Sequence, residues 1–149
     1  MAKHKKFLLL LLVVFLSTSY FLGYSPLLLS LIFTVVSLLT YLAYAKDKSA
    51  ASKGEWRVPE KTLHLLSLFF GWPGAMIAQE RLRHKTKKVS FRITFWMTVI
   101  LNVGVVYSIH TPVGGAVVKS SLNSIENFIV STLHSDKTKY VLLLLIRVE

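Results

Sequence analysis

The chain has 149 residues, no cysteine, 53% hydrophobic residues, and 18 Lys plus Arg against 7 Asp plus Glu, a formal net charge of +11. A chain this short makes one domain, and without Cys it has no disulfides, thiolate nucleophiles or Cys-ligated metals. Charge and apolar residues are segregated: residues 7–45 hold no Asp, Glu, Lys or Arg, while 14 of the 18 cations lie in 1–6, 46–61 and 81–92. That pattern excludes a soluble enzyme and a free nucleic-acid-binding domain as first readings and describes a polytopic all-α membrane protein.

The basic start, residues 1–6, leads into an apolar run over 7–24. At about 1.5 Å per residue this run approaches the ~30 Å hydrocarbon core. A basic start before a short apolar stretch also resembles a signal peptide. The Ser17-Thr18-Ser19 site is poor and a second run follows at once, so an uncleaved helix is expected. Gly23-Tyr24-Ser25-Pro26 signals a turn. Residues 27–45 form a second spanning run, giving a helical hairpin. Residues 46–62 read as a polar loop, with Pro59 opening the next helix and Glu60 near the positive end of its dipole.

The third apolar stretch, 63–79, contains Gly71-Trp72-Pro73-Gly74. Pro73 lacks an N–H and clashes with the preceding turn, so a kink or reversal is expected at Gly71, Pro73 and Gly74. The most basic segment follows over 80–92, then a last spanning run over 91–109, with Asn102 placed to hydrogen-bond across helices. Thr111 to Gly115 breaks the chain. Val118, Leu122, Ile125, Ile129 and Leu133 then recur at spacings of an amphipathic helix. Residues 140–146 are too few to span. The expected organisation is a transmembrane domain over 1–109 and an amphipathic tail over 110–149.

Positive residues in short loops stay in the cytoplasm. Lys3, Lys5 and Lys6 therefore place the N-terminus inside a bacterial inner membrane, and the 46–62 loop returns there. If 63–79 crossed fully, the most basic loop would lie outside. A re-entrant hairpin at Gly71–Gly74 removes the conflict, at the cost of irregular backbone at membrane depth that protein must cover. Three spanning helices plus a re-entrant hairpin is the expected topology, with four spanning helices as the alternative.

Tyr44-x-x-Asp47-Lys48, Gly54-x-Trp56-Arg57-x-Pro59-Glu60, Gly71-x-x-Gly74-Ala75 and Arg83-His84-Lys85-Thr86-x-Lys88-x-x-Phe91 together resemble the bacterial membrane family called domain of unknown function 1294, over about 27–105. Some relatives carry an N-terminal cold-shock domain. Six residues precede the first apolar run here, so none is expected. Phe70 stands where many relatives have another Gly. The resemblance implies an architecture and no reaction.

Arg81, Arg83, Lys85, Lys87 and Lys88 set five cations within eight residues, beside His84. With Lys46, Lys48, Lys53, Arg57 and Lys61 they form one basic cytoplasmic face under the re-entrant topology. Such a face orients the chain and rests on anionic headgroups. It also suits a phosphate-bearing ligand, held by Arg forks and Lys point charges. Arg57, Arg83, His84, Lys85 and Lys88 are the candidate anion-binding residues, with Asp47 and Glu60 orienting the cations. The alternatives are an enzyme acting on a lipid phosphate and a structural or partner-binding protein. Nucleic acid is disfavoured because aromatic interleaving is missing. Glu80 and His84 at i, i+4 suit a metal only weakly, and none is assigned. No motif names a cofactor or a nucleophile with its base, and self-association is left open.

Overall fold

The structure, a computed structural model, describes residues 3–83, 88–133 and 136–146; all its regular elements are helical, with no strand among the described residues. In chain order they are α1 (Lys3–Phe21), α2 (Leu27–Lys53), α3 (Glu60–Leu66), a π-helical turn (Ser67–Gly71), α4 (Trp72–Arg81), α5 (Val89–Ile109), α6 (Pro112–Thr132) and α7 (Asp136–Ile146). Among the described residues α1, α2 and α5 are long and apolar enough to cross a membrane. They are the three runs expected from hydropathy.

Two boundaries move. The basic start folds as the first turn of α1, so that helix begins at Lys3. α2 runs on to Lys53, through the first half of the expected 46–62 loop. Lys, Ala and Ser tolerate helix, and nothing stops it before Gly54, whose φ of 70° is left-handed. The Glu55 N–H then closes on the Ala50 carbonyl at 3.0 Å. Pro59 caps α3, and Glu60 occupies its first turn.

The chain divides into two compact units, Met1–Leu11 with Ile32–Gly104 and Leu12–Leu31 with Val105–Glu149. In the second, His110 gathers the local packing. Its Nε2 lies 2.9 Å from Ser19 Oγ and its Nδ1 2.9 Å from the Val106 carbonyl, and Ser19 lies 2.8 Å from Ser25. Phe15 and Tyr24 stack near its ring, with centroids 4.9 and 5.6 Å away. Thr111 caps α6 by accepting from the Gly114 N–H at 3.1 Å, and Pro112 takes the first turn.

In the first unit the third apolar stretch is broken, and the break lies upstream of the expected site. Phe69 (φ −85°, ψ 54°) and Phe70 (φ 65°, ψ 5°) are non-helical, while Trp72, Pro73 and Gly74 open α4. The reason is the proline. In a continuous helix the residue 73 N–H would bond the Phe69 carbonyl, and the ring would clash with it. The disruption therefore falls one turn earlier. Phe70 takes a left-handed conformation that Gly adopts freely, and its ring packs on Phe33 at 4.9 Å.

Before the break Ser67 faces Tyr44 of α2, and after it the contacts return along α2 towards the same residue. Phe70 meets Phe33, Gly74 meets the Ser37 backbone, and the Gln79 amide reaches the Tyr44 hydroxyl at 3.4 Å. From Tyr44 to Phe33 is eleven residues of α2, roughly 16 Å or half a bilayer core. The freed carbonyls at the break are met from α5: Asn102 Nδ2 donates to Leu68 O at 2.9 Å and Ser67 O at 3.4 Å, and also to Thr98 O in its own helix at 2.8 Å.

A Cβ at Gly74 would overlap the Ser37 carbonyl, whereas a Cβ at Gly104 would meet nothing within 4 Å. Gly74→Ala should therefore destabilise the protein by about 1–3 kcal/mol. Gly104→Ala should leave the melting temperature unchanged or raised. Thermal unfolding in detergent, followed by helical circular dichroism, checks both, and equal effects of the two would contradict the packing described.

Candidate functional site

The buried face of α2 is polar for half its length. Phe33, Thr40, Tyr44, Asp47 and Ala50 are buried, and Thr40, Tyr44 and Asp47 are fully enclosed. With Ser37 they recur at helical spacing, so they form one stripe. This stripe meets the broken segment. Gly71 lies against the Thr40 hydroxyl, and a Cβ there would overlap it. Tyr44 faces Gln79 and Ser67. Phe91 at the start of α5 closes the cluster, edge-on to Tyr44 at 6.2 Å and against the His64 ring at 4.2 Å.

At the end of the stripe three acids each meet a cation from a different element. Asp47 on α2 takes a forked contact from Arg57 in the following loop, Nε to Oδ1 at 3.1 Å and Nη2 to Oδ2 at 3.2 Å. Glu60 on α3 accepts from Lys88 at 2.7 Å, just before α5. Glu80 on α4 lies 3.7 Å from Lys5 on α1. The first pair differs from the others because the Asp47 side chain is fully buried while that of Arg57 is half-exposed. Hydrogen bonding to Asp47, and then its charge, raises the Arg57 guanidinium further above its ordinary value.

Asp47 and Glu60 hold Arg57 and Lys88, the arrangement in which acids orient cations. Both cations thereby tie elements together, so neither is an unengaged anion-binding group. Arg83 is exposed, with φ 47° just past the end of α4. His84 and Lys85 lie outside the described residues. α4 ends at Arg81, one residue past Glu80. Among the described residues no group of three His, Asp or Glu is placed to hold a metal.

Sequence reasoning missed the stripe and the Lys5–Glu80 pair. The stripe had a signal: Ser37, Thr40, Tyr44 and Asp47 interrupt an otherwise Leu- and Val-rich run at spacings of three and four. Lys5 had none beyond its charge.

Residues 37–91 match the family described as protein of unknown function (DUF1294). This is the family that the sequence motifs resemble. An uncharacterised protein of Bacillus subtilis (strain 168), YsdA, is 26% identical over 78 residues, covering 52% of this chain and 88% of that protein. No solved structure matches the chain. The DUF1294 segment begins at Ser37 and ends at Phe91, so it contains the lower stripe, the break and two of the three ion pairs. Lys5 and Asn102 are supplied by helices that flank it.

The two kinds of pair give different expectations. Arg57→Ala removes the forked partner of a buried carboxylate, whereas Asp47→Asn leaves a guanidinium that can turn to water. Arg57→Ala should therefore lower the melting temperature more than Asp47→Asn, and Arg57→Lys should restore only part of it. Lys88→Ala, at a pair exposed on both sides, should cost about 0.2–1 kcal/mol. Unfolding scans of the four variants in one detergent test the ranking.

Proposed function

We propose that this is a small integral protein of the bacterial inner membrane, N-terminus inside, whose 63–79 stretch is a re-entrant hairpin. Its function is to present a basic cytoplasmic face to anionic lipid headgroups. The observation that carries the reading is the reversal along α2, Phe33 to Ser37 to Tyr44 as the chain runs from Phe70 to Gln79. A full crossing would continue past Phe33 and leave the most basic loop outside. A reversal returns α4 to the level at which α3 began, and both basic loops share one side.

On that side the ion pairs absorb three cations and leave Lys46, Lys48, Lys53, Arg81, Arg83 and Arg92 exposed. Lys and Arg beside a bilayer each contribute about 1 kcal/mol to anionic surface attraction. Trp56, 91% exposed beside Arg57, suits the interfacial position that Trp favours. The Asp47–Arg57 pair supports this reading over an enzyme: both groups are committed to holding the loop.

The absence of native Cys makes the topology directly measurable. Ser52→Cys and Arg83→Cys should react with an impermeant maleimide only from the cytoplasmic side, and Ser131→Cys only from the other. Labelling at position 83 from outside would sink the re-entrant reading. For the headgroups, spin-labelled phosphatidylglycerol should be selected over phosphatidylcholine in the lipid layer around the reconstituted protein. The selectivity should fall towards unity at about 1 M salt, and in a Lys53→Ala, Arg81→Ala, Arg83→Ala variant. Unchanged selectivity in that variant would refute the headgroup role.

A further inference from the structure

The reversal leaves a gap that the rest of the unit does not fill. α3 is only seven residues long and gives way to the π turn, and Met97 and Leu101 on α5 stay exposed. Between them lies an open groove of about 440 Å³, walled by Lys61 and Leu65 on α3, Leu68 on the π turn, and Thr94, Met97 and Leu101 on α5. Positions 61 and 65 share one face of α3, and 94, 97 and 101 share one face of α5. The α5 wall runs seven positions from Thr94 to Leu101, roughly 10 Å, about a third of a bilayer core. The volume falls within the roughly 300–1,000 Å³ of small-molecule sites.

The groove is graded. Its floor and far end are Leu68, Met97 and Leu101. The two hydroxyls along α5 are already used, with Thr94 donating to Ser90 O at 3.1 Å and Thr98 to Phe95 O at 2.6 Å. His64 is turned onto Phe91. The one cation of the lining is Lys61, at the α3 end nearest the ion pairs. It makes no ion pair among the described residues. The neighbouring Glu60 is held by Lys88 at 2.7 Å, and no carboxylate lines the groove.

We propose that this groove holds one molecule of anionic phospholipid, the upper part of an acyl chain lying along Leu65, Leu68, Met97 and Leu101 and the headgroup phosphate on Lys61. Charge decides the occupant. An apolar wall with a single unpaired cation at one end matches an apolar chain with an anion at one end. It would leave the ammonium unmatched against a second apolar helix. The site differs from the exposed-cation face, although it rests on the same membrane-embedded reading of this unit.

The full chain in nonionic detergent, titrated with phosphatidylglycerol or phosphatidylcholine of the same chains, should retain one phosphatidylglycerol preferentially in native mass spectra. Lys61→Ala should weaken that lipid about five-fold and abolish the preference, while Lys61→Arg and Lys119→Ala keep it. Leu68→Trp, which fills the groove, should weaken both lipids. Leu101→Phe serves if circular dichroism shows Leu68→Trp unfolded. No effect of Lys61→Ala, or none of groove filling, overturns the site. So does a Met97→Cys disulfide between two chains that excludes lipid, which would assign the groove to a second copy. Because Lys53, Arg81 and Arg83 do not line the groove, loss of headgroup selectivity at those residues and loss at Lys61 are separately readable.

Discussion

A peptide carbonyl released from a helix inside an apolar layer has no water to accept from, and the fold of the first unit depends on meeting that demand. Pro73 breaks the helix, and Asn102 meets two of the carbonyls beside the break. One side-chain amide on α5 donates to Leu68 and Ser67 at the break while also bonding its own helix. Irregular backbone in apolar surroundings is tolerated where neighbouring helices re-satisfy it. The close approach of Gly71 and Gly74 to α2 serves the same end, since any side chain there would hold the broken segment away from its cover.

The polar stripe follows from this arrangement. A segment that turns back presents side chains and backbone of mixed polarity to α2, so the facing side of α2 is Thr40, Tyr44 and Asp47 rather than Leu and Val. Where the segment enters and leaves, three acids on three helices each take a cation from elsewhere in the chain. The pairs fasten α2, α3 and α4 to the following loop, the start of α5 and α1. Lys46, Lys48, Lys53, Arg81, Arg83 and Arg92 stay exposed beside them.

The spanning helices were legible because apolar runs of bilayer length report themselves through composition alone. The helix break was legible because proline has a local effect, although its location was read two to four residues late. The disruption belongs to the carbonyl four residues before the ring, not to the ring's own position. The extension of α2 to Lys53 was hidden because polar residues compatible with helix also suit loops. The candidate site was only partly visible. Asp47, Arg57, Glu60 and Lys88 stood out as charged residues, but charge alone did not pair Asp47 with Arg57 or Glu60 with Lys88. Lys5 and Glu80 are 75 positions apart, and no periodicity links them.

By itself the sequence determined that this is an all-α chain with three helices able to cross a membrane, a break near Pro73 and cations concentrated in short connecting segments. Each of these follows from local chemistry: apolar length, a missing N–H, a run of like charges. Tertiary structure decided which cations are engaged, which carbonyls Asn102 meets, and that the broken stretch runs back along α2 to leave a groove beside α5. Those outcomes depend on groups distant in the chain satisfying one another in three dimensions.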